Sequence, residues 1–105
     1  MQTLKSFKRG DTFAFYANLL NSVGEPYGGD AANLSCQVRD SQDALIATLT
    51  ITATEVVGKY LFQASSTDLW PLGVLYTDIE INEDGIISSS ETIAIPIEKD
   101  VTRNG

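Results

Sequence analysis

Residues 70–99 read WPLGVLYTDIEINEDGIISSSETIAIPIEK. Trp70-Pro71-Leu72-Gly73 is a turn signal, and an alternating run follows it. Ile79 and Ile81 lie two apart, as do Ile93, Ile95 and Ile97 further on. Successive side chains of a strand point to opposite faces, so a period of two buries one face of each run. Between them Asp84-Gly85 is a strong hairpin turn. The stretch therefore predicts strands over 73–82 and 86–99. Pro96 has no N–H to give to a ladder, which predicts that the last strand lies at an edge or is broken there. Nothing between the two strands is a catalytic group.

The rest of the chain repeats this pattern. Over 12–20, Phe13 and Phe15 oppose Ala14 and Tyr16. Over 34–39, Leu34, Cys36 and Val38 share a face. Over 45–53, Leu45, Ala47, Leu49 and Ile51 alternate with Ile46, Thr48, Thr50 and Thr52. Over 59–64, Tyr60 and Phe62 align. Gly, Pro and Asp mark turns at 23–30 and 40–43. At the 65–71 corner, Ser66 or Thr67 is a candidate cap for a single helical turn that Pro71 ends. Residues 1–10 mix apolar and basic side chains, as a short edge strand or an arm does. The expectation is an all-β chain: a single antiparallel sandwich of about seven strands. It forms one domain over 1–105, with an N-terminal arm at 1–8 and a polar C-terminal tail at 101–105.

Composition narrows the function classes. The chain has 105 residues, 43% of them hydrophobic, which suits one folded domain rather than a disordered segment. Its net charge is −7, and it has no histidine. Acids crowd the last third, whereas Lys5, Lys8 and Arg9 make the other end basic. Such acidity disfavours nucleic acid and anionic membranes, so neither is expected as a partner. It keeps a concentrated protein soluble. A sharper reading is that the basic end of one copy meets an acidic face of a neighbour. Cys36 is the only cysteine and alternates with Leu34 and Val38, so it reads as a small buried hydrophobe. The first residues form no signal-peptide core, and no apolar run has transmembrane length. Synthesis in a cytosol and a soluble product are expected.

The chemistry-bearing patterns are weak. Without histidine, Ser-His-Asp and Cys-His arrangements are impossible, and zinc lacks ligands. Gly28-Gly29 has no following Lys-Ser/Thr. Asp78 and Glu80 share the face opposite Ile79 and Ile81, where solvent is expected rather than a carboxylate pair. Asn82-Glu83-Asp84-Gly85 is too short for a calcium loop. Arg9-Gly10-Asp11 reads as a turn that starts a strand. Asn33-Leu34-Ser35 is a glycosylation sequon with meaning only after secretion. No catalytic residue, metal ligand or cofactor is assigned, and the chain is not read as an enzyme. Trp70 is read as a plug closing one end of the sandwich, the other reading being an exposed contact anchor. Tyr27, between Pro26 and Gly28, is the expected exposed aromatic contact.

The order of these features resembles small virion proteins of tailed phages and prophages. The matching residues are Lys8-Arg9-Gly10-Asp11-Thr12-Phe13, Gly24-Glu25-Pro26 and Cys36-Gln37-Val38-Arg39. They continue with Gly58-Lys59-Tyr60, Trp70-Pro71-Leu72-Gly73, Asp78-Ile79, Asp84-Gly85, Ser90-Glu91-Thr92 and Lys99-Asp100-Val101-Thr102. The resemblance implies an immunoglobulin-like sandwich serving as a tail, baseplate, neck or capsid-decorating part. Its expected partners are other virion proteins or copies of itself, and its expected location is the virion. The partner contacts expected are edge-strand backbone, Lys5, Lys8, Arg9 and Tyr27. The alternative is a module presenting loops to a host-surface glycan or protein, with Trp70 and Tyr27 exposed beside an acidic groove.

Overall fold

The computed structural model describes residues 2–21, 23–64, 66–83, 85–90 and 92–99. These form β1 (Gln2–Thr3), β2 (Phe7–Lys8), β3 (Phe13–Asn18), β4 (Leu34–Arg39) and β5 (Leu45–Thr48). There follow β6 (Thr50–Ala53), β7 (Lys59–Ala64), β8 (Gly73–Glu83), β9 (Ile86–Ser89) and β10 (Ile93–Glu98), with one 3-10 turn at Ala31–Asn33. Two sheets result. The larger runs β1-β10-β8-β4-β5, with β2 also on β10 and β9 also on β8; the smaller runs β3-β7-β6. The protein is all-β.

Alternation builds the core. On β8, Leu75, Thr77 and Ile79 are buried while Asp78 is exposed. On β4, Cys36 lies opposite Ile79 and Val38 opposite Thr77, and both are buried, as is Leu34 opposite Ile81. The smaller sheet contributes Phe13, Tyr60, Phe62 and Ala64 to the same apolar cluster. Burial of each such Leu, Ile or Phe side chain stabilises the fold by roughly 1.5–3 kcal/mol relative to exposure. Phe15 and Phe62 stack across their strand pair, centroids 5.0 Å apart.

Several expectations need correction. The sheets are not antiparallel throughout: β1 and β2 both run parallel to β10, so the larger sheet is mixed. The N-terminal segment, expected as a short edge strand or an arm, pairs into the sheet through β1 and β2. Ten strands are present among the described residues rather than about seven, because two predicted runs divide and the N-terminal segment adds two short strands. The 45–53 run breaks at Leu49, whose N–H donates to the Cys36 carbonyl at 2.9 Å. β5 stays with the larger sheet and β6 crosses to the smaller. A strand that turns a sandwich corner belongs to both sheets in turn, and so loses its even alternation. Leu45, at the start of β5, is exposed.

Pro96 is not on an edge strand. β10 lies between β8 and the N-terminal strands. The Ala94 carbonyl accepts from the Leu4 N–H at 2.9 Å, so the main chain of Ala94, and of Pro96 two residues on, faces the N-terminal segment. The N-terminal segment leaves the ladder between β1 and β2, where Pro96 offers no donor. The predicted break thus falls in the neighbour of the proline strand. At the 65–71 corner, the Trp70 N–H donates to the Thr67 carbonyl at 3.1 Å, closing a tight turn rather than a helical one. Asp84 of the predicted hairpin turn, Glu91 and the 101–105 tail lie outside the described residues.

Candidate functional site

The strand registers define two opposite ends along a 48 Å molecule. At one end Phe13 pairs with Ala64, Ile97 with Gly73, and Glu98 with Lys8. At the other, Asn18 pairs with Lys59, Leu34 with Ile81, and Glu83 with Ile86.

The first end carries the basic residues. Lys5 and Lys8 are exposed and Arg9 is half-buried. Arg9-Gly10-Asp11 lies in a turn closed by the Asp11 N–H on the Lys8 carbonyl at 3.0 Å, with Gly10 at φ +98°, a conformation glycine adopts without strain. Thr67 ties this turn to the 67–70 corner. Its Oγ1 accepts from the Gly10 N–H at 2.9 Å and donates to the Asp11 carbonyl at 2.7 Å. Trp70, 3% exposed, is a plug: its ring meets Phe7 edge-on at 5.9 Å and Phe13 at 5.3 Å. Between buried Thr67 and buried Trp70, Leu69 stands 95% exposed, and Leu72 and Val74 are also exposed nearby.

The second end is open. The tail of β3, the following loop and the β8–β9 hairpin bound a groove of about 780 Å³. Leu19, Leu20, Tyr27, Ile79, Ile81 and Ile86 supply its largely apolar lining, Asn18, Asn21 and Ser88 to Ser90 its polar rim. β9 pairs only with β8 among the described residues, and all four of its residues are exposed, Ile86 by 73%. Around this end Glu25, Asp30 and Glu55 are exposed and Glu80 is half-buried. The base there, Lys59, sits over the Tyr16 ring, 4.8 Å from its centroid.

Tyr27 is not an exposed contact. It is 2% exposed and packs on Tyr60, centroids 6.1 Å apart. The turn signals around it belong to a hairpin. Asn21 Oδ1 accepts from the Val23 and Glu25 N–H groups, Leu20 bridges Pro26, and the Tyr27 N–H donates to the Leu19 carbonyl at 2.9 Å. Tyr27 therefore follows the turn and points inward. A side chain at Gly29 would collide with its phenol oxygen, which leaves that position to glycine. The Tyr60 hydroxyl donates to the Gly29 carbonyl at 2.7 Å, and burial, then the nearby Tyr27 and Asp30, push its ionisation up. Of the four expected contacts, the three basic residues cluster at one end and Tyr27 lies in the core. The sequence pattern did not single out Leu69 or the groove: an isolated leucine in a turn carries no periodicity.

No protein-family model and no curated protein matches this sequence.

A second groove, of about 740 Å³, lies on the outer face of the larger sheet, bordered by Gln37, Arg39, Asp43, Tyr76, Asp78 and Glu80. Arg39 is committed within it: its guanidinium donates to Gln37 Oε1 at 2.8 Å and to the Asp43 carbonyl at 2.9 Å. Asp78 and Glu80 share this open face. No cluster of potential metal ligands occurs among the described residues.

Cys36 is buried, its sulfur 3.0 Å from Thr77 Oγ1, which itself donates to the Gln37 carbonyl at 2.7 Å. Burial pushes the thiol from 9.0 up to about 11; the Thr77 contact offsets part of this and the Asp78 charge adds to it. The folded state holds this proton more tightly than the unfolded chain does. The resulting stabilisation is fully present below pH 9.0 and is lost as pH rises through about 11. Across that window the penalty of Cys36→Ala should shrink by about 2–3 kcal/mol. Urea midpoints of both chains at each pH check this, and parallel pH profiles would contradict it.

Proposed function

We propose that the chain is a virion structural protein of tailed phages: a tail, baseplate, neck or capsid-decorating part that works by repeated protein–protein packing. The observation that carries this reading is the β8–β9 hairpin. It presents a strand edge unpaired among the described residues and two exposed isoleucines, Ile86 and Ile87, at the end of a small sheet scaffold. Free edges and exposed apolar residues are what a neighbouring protein covers. The ordered motif resemblance supplies the class of particle.

The strand order supports an immunoglobulin-like sandwich as the finer description of the fold. β10, β8, β4 and β5 follow one another as strands G, F, C and C′ do in variable-type domains, and β3, β7 and β6 as B, E and D do. The hallmark disulfide is absent, since Cys36 is the single cysteine. Phe15 stacks on Phe62 across β3 and β7, and Trp70 closes one end of the core.

The alternative, a glycan- or protein-binding loop module, would be favoured by Trp70 and Tyr27 exposed together and is weakened by a buried Trp70. Both rings are buried. The structural reading is therefore retained, with other virion proteins or copies of the chain as partners and the virion as location.

Reversing Lys5, Lys8 and Arg9 together to glutamate tests it. These side chains are solvent-facing or partly so, and the Arg9 ladder bond uses only its main chain. The fold should persist, with stability within about 1 kcal/mol of wild type, while incorporation into particles falls. Unchanged incorporation would show that the basic end takes no part.

A further inference from the structure

The N-terminal segment is lightly held. β1 and β2 each pair only two residues with β10, and their ladder is interrupted between Ala94 and Ile97, where Pro96 lies. Gln2, Thr3, Lys5 and Lys8 are exposed, and Leu4 and Phe7, which pack on the core, are only half-buried. Short ladders and sparse buried contacts mark the parts of a fold that open at low cost. The segment joins β3 through the Lys8–Asp11 turn, which bends at Gly10 with φ +98°. The place it fills is specific. Were it to leave, the Ala94 and Glu98 carbonyls would lose the N–H groups of Leu4 and Arg9. The Phe13 and Trp70 rings would lose Phe7, whose centroid lies 5.1 and 5.9 Å from theirs. An open sheet edge beside an apolar slot draws in a strand that matches both.

We infer that residues 2–9 are an exchangeable strap, which leaves its own β10 and pairs with the β10 of a second copy. Identity fixes this occupant: the segment of any copy already matches the edge, in register, with Phe7 in place. Exchange therefore restores each bond and ring contact that opening breaks. The Lys8–Asp11 turn is what differs between the two forms, and Thr67 Oγ1 favours the closed one by holding Gly10 and Asp11 together. Bringing two copies together costs entropy, so the closed form prevails in dilute solution. Copies set side by side on a particle meet at high effective concentration, and exchange prevails there. Reciprocal exchange closes a dimer, whereas one-way exchange links copies into a ring or a filament. The inference rests on reading the chain as a repeated structural part and names the segment that joins the copies.

Lys8 and Glu98 stand opposite one another on β2 and β10, and both are exposed. Neighbouring strands lie within disulfide reach, and Cys36 is buried. Chains carrying Lys8→Cys alone are mixed with chains carrying Glu98→Cys alone, concentrated to about 1 mM and oxidised. Exchange predicts disulfides that join position 8 of one chain to position 98 of the other, in about tenfold excess over 8-to-8 and 98-to-98 pairs. The Lys8→Cys/Glu98→Cys chain, oxidised while dilute, should close within itself and stay monomeric when concentrated. Wild type should grow in mass by sedimentation under the same conditions, a readout that needs no substitution if a cysteine impairs folding. Mixed pairs no commoner than random pairing gives, a wild type that stays monomeric, or a closed chain that still grows would each overturn the inference. A chain that enters particles without exchanging refutes the strap and leaves the structural reading standing. A chain that exchanges as described but never enters particles does the reverse.

Discussion

Ile79→Asp should unfold the domain. Ile79 is 3% exposed, stands opposite Cys36 across the β8–β4 ladder, and belongs to the cluster that joins the two sheets. A carboxylate there is either buried with its charge unpaired or protonated at the cost of its ordinary ionisation, and no base lies on that face of β8 or β4 to receive it. The penalty is several kcal/mol, against a total stability of about 5–15 kcal/mol for a domain. Far-ultraviolet circular dichroism and urea titration read the result. A soluble variant with a wild-type midpoint would mean that the face carrying Leu75, Thr77 and Ile79 is not the core face.

Trp70→Ala should cost about 3–5 kcal/mol, the range for removing a buried large aromatic. Its consequences extend beyond the cavity. The ring supports Phe7 and Phe13, so its loss loosens the short parallel pairing of β1 and β2 with β10. It also anchors the turn that carries Leu69. Hydrogen exchange should therefore show lost protection at the Leu4 and Arg9 amides, which donate to the Ala94 and Glu98 carbonyls, more than at those of β4. A loss below about 1 kcal/mol, or uniform deprotection, would contradict the role given to the plug.

Much of the fold is legible in the sequence because period-two alternation survives wherever one strand has one buried face. The 34–39 and 59–64 runs coincide with β4 and β7 for that reason. The reading fails where a second constraint enters. The 45–53 run keeps its alternating composition while the chain changes sheets at Leu49, and no residue marks the crossing. Pro96 correctly signals a missing donor, but the gap falls in the partner strand, which only the register reveals. Parallel pairing of residues 2–8 is a long-range choice, made by Phe7 finding Phe13 and Trp70.

The site was legible in part. Lys5, Lys8 and Arg9 show as a charge cluster in one dimension and stay close in three. Tyr27 misled because Pro26 and Gly28 signal a turn whether the aromatic precedes the inward bend or follows it. The exposure of Leu69 depends on Thr67 and Trp70 both being buried on either side, a fact of packing rather than of pattern.

A repeated structural part of a particle should bind particles that lack it. The most direct measurement adds purified, labelled chain to tailed-phage particles that lack it and counts the copies bound to each. Uptake should saturate at a fixed copy number and be lost when Lys5, Lys8 and Arg9 are reversed to glutamate. No uptake at saturating concentration would contradict it.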